Sequence, residues 1–246
     1  MYIVFLIMLI IFMLSAPIIK ALRKKKPKDV IRIEKNQGKR YYRTMVWMWG
    51  PAVVVIIISL IGGISLADLG LRAISFNYNI WFTAIILTIS GLVLVFNLRT
   101  LILSLSSKKF REEMRAEIAN DDVASDILPR TKKEKYQYIL LSFSSGICEE
   151  LVYRGFIAFL LQAVFPEIPI FVIVLIPSVL FGIGHLYQGW QGVLQTGVVG
   201  AIFICLLLVT NSLILVMALH FITNASDAFC LSEENENEQG AFQHDL

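Results

Sequence analysis

Long apolar windows separated by short polar segments run through the chain. They fall near Tyr2 to Ile19, Val46 to Leu66, Ile80 to Asn97, Tyr138 to Phe165, Ile170 to Leu186, Gly192 to Thr210 and Ser212 to Leu231. A helix needs ~20 predominantly apolar residues to cross a hydrocarbon core. The pattern therefore predicts an all-α fold, a polytopic transmembrane helical bundle of about seven spans. The fourth window is long enough to include an interfacial turn, and the last two meet at Asn211 with almost no loop, so the count ranges from six to eight.

Composition agrees with the pattern. With 57% hydrophobic residues and a mean hydropathy of +0.70, the chain is too apolar for a soluble domain of this size. The formal charge of +3 matters less than where the charges sit. The basic excess is concentrated after the first window and forms no face that would read nucleic acid. That first window lacks a basic segment before it and a small-residue cleavage site after it, so it reads as a retained helix.

Lysine and arginine in short loops set the orientation. The loop after the first window carries Lys20, Arg23, Lys24, Lys25, Lys26, Lys28, Arg32, Lys35, Lys39, Arg40 and Arg43 against Asp29 and Glu34. This places it in the cytoplasm, with the N-terminus outside. The segment from Ser106 to Gln137 then also falls inside, and the loops around Asp68 to Asn79 and Pro166 to Pro169, nearly free of basic residues, fall outside. Phe110, Met114 and Ile118 recur at steps of four in the second inner loop, as in a short amphipathic helix. Residues 1–137 thus form a three-span region with two basic cytoplasmic loops, 138–231 a second membrane region, and 232–246 a disordered acidic tail on the cytoplasmic side.

The first three windows have no ionisable side chain in their centres, as expected where a charge costs at least ~2.5 kcal/mol. The later windows break that rule. Glu149, Glu150 and Arg154 lie in the fourth, His185 near the end of the fifth, and His220 with Asn224 in the seventh. Intramembrane polar groups of this kind are functional candidates. On a helix, Glu150 and Arg154 are four apart and can pair, whereas Glu149 is rotated by about 100° and can point elsewhere. Phe181 shares a face with His185, and His220 shares one with Asn224. At ~1.5 Å per residue, Glu149 and His220 each lie about 15 Å from the cytoplasmic ends of their helices, and His185 is shallower. All three can face one cavity in the cytoplasmic half of the bilayer.

Gly182 and Gly184 beside His185, and Gly197, Gly200 and Ala201, suit close helix packing. Pro177 is expected to kink the fifth helix. Cys148, Cys205 and Cys230 have neither metal-ligand nor disulfide spacing, and Cys148 reads as a small buried apolar residue rather than a nucleophile.

The three ridges read EExxxR (Glu149 to Arg154), FxxxH (Phe181 to His185) and HxxxN (His220 to Asn224). Their order and their placement on separate apolar helices resemble the CAAX protease and bacteriocin-processing family, also called Abi, a relative of the Ras-converting enzyme. The similarity covers roughly Tyr138 to Cys230. It implies an intramembrane endopeptidase, a hydrolase in which Glu149 and His185 activate water while His220 and Asn224 stabilise the oxyanion. Glu150, Arg154 and Phe181 would support them. The implied partners are a membrane-associated peptide or protein substrate and the lipid bilayer, with no nucleic acid, and the expected location is the plasma membrane of a bacterium. Members of the family are often described as metalloproteases, and Glu149, His185 and His220 would be the candidate ligands of a zinc ion. The glutamate scheme needs no metal, and HExxH is absent.

Three rival readings stay open at this point. Polar residues can simply join helices, at about 0.6 kcal/mol per hydrogen bond. A proton-coupled transporter would use intramembrane Glu, His and Arg as a relay, but no internal repeat is visible. A family member can also act as a non-catalytic immunity or scaffold protein.

Overall fold

The computed structural model describes residues 37–119, 127–129 and 131–230, together with single positions 4, 5, 7, 10 and 11. Apart from those positions, the first predicted span lies outside the described residues, as do most of the first basic loop and the whole acidic tail. The described residues form helices and contain no strand. In chain order they are α1 (Gln37–Gly62), α2 (Ile80–Ser106), α3 (Lys108–Ala119), α4 (Lys132–Glu149), a π-helical stretch (Glu150–Ile157), α5 (Ala158–Val164), α6 (Ile170–Gly184), α7 (Gly189–Thr210) and α8 (Leu213–Cys230). A single 3₁₀ turn, Leu186–Gln188, joins α6 to α7.

The helix boundaries have local causes. Asn79 Oδ1 accepts the Trp81 N–H at 2.9 Å and starts α2. Thr131 and Glu134 close a reciprocal capping box that starts α4. Asn211 adopts a left-handed conformation, φ 51°, which ends α7 and reverses the chain into α8.

The second to seventh apolar windows each coincide with a helix or, for the fourth, with the α4–π–α5 rod. Gln37–Gly62, Ile80–Ser106 and Leu186–Thr210 are long and apolar enough to cross a membrane, whereas Ile170–Gly184 and Leu213–Phe229 are apolar but shorter. Length and composition alone thus give fewer spans among the described residues than the window count. The fold is nonetheless that of a helical membrane bundle. Val53, Val54, Ile57, Leu60 and Ile61 on α1, and Leu92, Val95 and Phe96 on α2, are exposed. An outward apolar surface of this extent suits lipid and not water. Trp81 and Trp190 are exposed near helix ends, where indole rings sit at a membrane interface.

Two polar knots show which loops share an end of the bundle. At one end Ser75 N–H donates to Thr210 O at 2.8 Å and Leu213 N–H to Gly70 O at 2.7 Å. Arg72 reaches the Asn211 carbonyl and side chain at 3.0 and 2.8 Å. At the other end Tyr41 Oη donates to Ile127 O at 2.6 Å, the Tyr41 and Tyr138 rings pack edge to face, and Lys135 lies over Phe229 at 4.0 Å. The alternation read from the sequence assigns these same groups of residues to shared sides. The amphipathic inner-loop helix is present as α3, with Phe110, Met114 and Ile118 half-buried and its acidic and lysine side chains exposed.

Ala52 and Val55 of α1 and Ile86 of α2 join the main apolar cluster with Phe156, Phe203 and Leu213, beside smaller clusters around Tyr41 and Tyr138 and around Ile173 and Ile204. Glycine permits the tightest crossings. A Cβ at Gly146 would lie 3.1 Å from the Met217 carbonyl, and one at Gly182 would lie 2.7 Å from the Val193 carbonyl. These positions let α4 meet α8 and α6 meet α7 at backbone distance. Pro177 lies inside α6, within its buried part.

Candidate active site

The polar residues of three separate helices converge where α4 gives way to the π-helical stretch. The wider i→i+5 hydrogen bonding of a π-helix is rare and is often found at functional sites. Here it begins at Glu150 and ends beyond Arg154, re-aiming side chains that a continuous α-helix would have placed differently.

Glu150 and Arg154 are fully buried and paired, Oε1 to Nη1, at 2.9 Å. The same Glu150 oxygen receives His220 Nδ1 at 2.6 Å. Glu150 therefore joins the first polar ridge to the third. One face of the Arg154 guanidinium lies 4.1 Å from the Phe181 ring centroid, with Phe203 at 5.7 Å and Tyr153 at 5.8 Å. Arg154 Nε and Nη2 and Glu150 Oε2 have no hydrogen-bond partner, so the aromatic faces provide the favourable electrostatics for the rest of the cation. Gly200 makes room for it, since a Cβ there would lie 3.1 Å from Arg154 Nη2 and 3.3 Å from Phe181.

Glu149 points away from this pair, as its different helical rotation predicts. Its side chain is 19% exposed, and its Oε2 lies 3.7 Å from His220 Nε2, too far for a direct hydrogen bond. His185 Nδ1 meets the Phe181 carbonyl at 2.8 Å. A carbonyl only accepts, so Nδ1 carries the proton, and in the neutral ring Nε2 is left as an acceptor. Phe181 also stacks on His185, with centroids 4.6 Å apart. Asn224 Nδ2 donates to Ser145 Oγ at 2.9 Å, which leaves its second amide hydrogen for another acceptor.

Glu149, Phe181, His185, His220 and Asn224 all line one cavity of about 280 Å³. Glu150 and Arg154 lie behind its wall. Sequence reasoning missed four further lining groups of interest: Ser145, Tyr187, Phe203 and Asp227. Ser145 is four residues before Glu149 and Asp227 three after Asn224, so extending each ridge by one turn would have found them. Phe203 carries no such signal, being one apolar residue in an apolar helix.

The candidate zinc ligands do not close into a metal centre. Among the described residues no three His, Cys, Asp or Glu side chains are grouped as a metal ion requires. Nδ1 of His220 and of His185 is hydrogen-bonded, to Glu150 and to the Phe181 carbonyl, which leaves Nε2 as the ring atom each could offer a ligand.

The site is thus a carboxylate, two histidines and an amide around one cavity of a helical membrane bundle. Residues 132–226 match the family model described as type II CAAX prenyl endopeptidase Rce1-like. The match covers less than half of the chain, contains all three motifs, and bears out the resemblance to the CAAX protease family over that stretch. No curated protein and no solved structure matches the chain.

Proposed function

We propose that this protein is an intramembrane endopeptidase that hydrolyses a peptide bond in a membrane-associated peptide or protein, with water as the nucleophile. The observation that carries the reading is the single cavity lined by Glu149, His185, His220 and Asn224.

In this mechanism a water held between Glu149 and His185 Nε2 gives up a proton to the carboxylate as its oxygen attacks the scissile carbonyl. The Phe181 carbonyl fixes the His185 tautomer that makes Nε2 an acceptor. The free amide N–H of Asn224 and the Nε2 edge of His220 face the developing oxyanion. The Glu150 carboxylate on Nδ1 fixes the orientation of that ring. Donors aimed at developing charge in a water-poor site are among the strongest sources of rate enhancement. Glu149 then returns its proton to the leaving amine. Glu150 and Arg154 position His220 and do not touch substrate.

The orientation follows from loop charge. The end of the bundle bearing Tyr41, Ile127 and Lys135 is cytoplasmic, the Arg72 and Asn211 end is outside, and substrate enters from the cytoplasm. The host membrane is a bacterial plasma membrane.

The test is cleavage of a membrane-anchored peptide library by the reconstituted protein and by Glu149→Ala and His185→Ala variants with unchanged thermal unfolding. Loss of cleavage in both variants supports the assignment. Equal cleavage by all three proteins overturns it, and ion flux that both substitutions abolish, without cleavage, favours the transporter.

A further inference from the structure

One carboxylate in the cavity has no part in the chemistry above. Asp227 lines the same space as the four candidate catalytic residues. It lies on α8, three residues beyond Asn224 and seven beyond His220, so all three occupy one helical face. Its side chain is exposed, and no hydrogen bond or ion pair links it to a described residue.

The rest of the lining is equally informative. Among the described residues, the twenty that line the cavity include no lysine or arginine, and their acidic members are Glu149 and Asp227; Arg40 acts on Tyr187 without itself lining the space. A cavity with low-dielectric walls and charge of one sign concentrates counter-charge inside it. Tyr187, Gln188 and Gln195 add polar groups to the lining, but none of them neutralises a carboxylate. Seven residues of helix separate His220 from Asp227 by about 10 Å along the axis. An extended peptide covers the same distance in about three residues.

We propose that Asp227 is a specificity-determining residue that pairs with a lysine or arginine side chain of the substrate about three residues from the scissile bond. This rests on the endopeptidase reading and deepens it by naming a substrate feature. A long basic side chain suits the position, since its methylene stem can lie on apolar wall such as Leu141 and Val199 while its charged head reaches the carboxylate.

The test uses the reconstituted full chain and N-acetylated, membrane-anchored peptides that differ only in Lys, norleucine or Glu at the third position on either side of the cleaved bond. The wild type favours Lys over norleucine by about tenfold in kcat/KM, the scale of a hydrogen bond to a charged group. Asp227→Asn removes most of that ratio, and Asp227→Lys shifts it towards the Glu peptide. The preference shrinks as salt rises, as for any partly exposed charge pair. In parallel, peptide binding is measured by fluorescence anisotropy in the Glu149→Gln background, with and without Asp227→Asn. Should no protein cleave any peptide, a Lys preference in binding that Asp227→Asn removes sustains the Asp227 assignment while the endopeptidase reading falls. The assignment itself is overturned when Lys, norleucine and Glu peptides are bound and cleaved with the same ratios by wild type and Asp227 variants.

Discussion

Removing one partner of the buried Glu150–Arg154 pair should be far more damaging than removing both. Each side chain is fully buried, and the 2.9 Å contact is the arginine's only ion pair among the described residues. Arg154→Leu leaves a carboxylate in an apolar interior with only His220 for company. Glu150→Leu leaves a guanidinium with aromatic faces alone. An unpaired buried charge of this kind destabilises by about 3–5 kcal/mol, whereas replacing a whole pair by apolar residues is often close to neutral. The double variant still loses the His220 Nδ1 contact, so it should be moderately destabilised. The two single losses then sum to about 6–10 kcal/mol against about 2 kcal/mol for the double variant, so the coupling between the sites is expected at about 4 kcal/mol or more. The assay is reversible unfolding in mixed micelles for wild type, both single variants and the double variant. Additivity within about 0.5 kcal/mol would refute the reasoning, since an exposed pair gives only 0–1 kcal/mol. Arg154→Lys should recover only part of the loss, because an ammonium cannot stack flat on Phe181 while pairing with Glu150.

Other consequences follow from separate observations. Gly182→Ala drives a methyl against the Val193 carbonyl and should destabilise by about 1–3 kcal/mol, read as a lower unfolding midpoint. Gly200→Ala pushes on both Arg154 and Phe181 and should lower kcat more than it raises KM, which steady-state cleavage kinetics will show. The Ser65 side chain and backbone hold the Asp68 carboxyl below its ordinary value. That small stabilisation is present above the ordinary carboxylate pKa of ~3.9 and fades as pH falls through the lowered value. Ser65→Ala should shrink that contribution and flatten the pH dependence over the window, seen in unfolding midpoints across an acid titration. In a cysteine-free background, a cysteine at Ser75 should react with impermeant thiol reagents from outside the cell and one at Lys109 only after lysis; the reverse pattern inverts the orientation.

Much of this molecule is legible in its sequence because a bilayer imposes coarse rules. Twenty apolar residues announce a helix, and Glu149, Glu150, Arg154, His185 and His220 stand out where charge is expensive. Helical rotation alone separated the roles of Glu149 and Glu150, and the structure sends them to different sides. What pattern could not give was the departure from ideal geometry. Nothing in the residues around Glu150 signals π-helical hydrogen bonding, in a stretch that packs against α1, α6 and α8, all distant in sequence or across a turn. The link from Glu150 to His220 spans seventy residues, beyond any local periodicity. The aromatic enclosure of Arg154 depends on Phe203 and on the space left by Gly200, which are ordinary membrane-helix residues until the fold brings them together.

The central claim is that the Glu149 carboxylate activates water for peptide hydrolysis. It is tested most directly by incubating the reconstituted protein and its Glu149→Gln variant with a membrane-anchored peptide in oxygen-18 water, followed by mass spectrometry of the fragments. The account predicts a new carboxyl terminus labelled with one oxygen-18 from the wild type and none from a Glu149→Gln protein of equal thermal stability. Labelled product formed at the same rate by both proteins would contradict it.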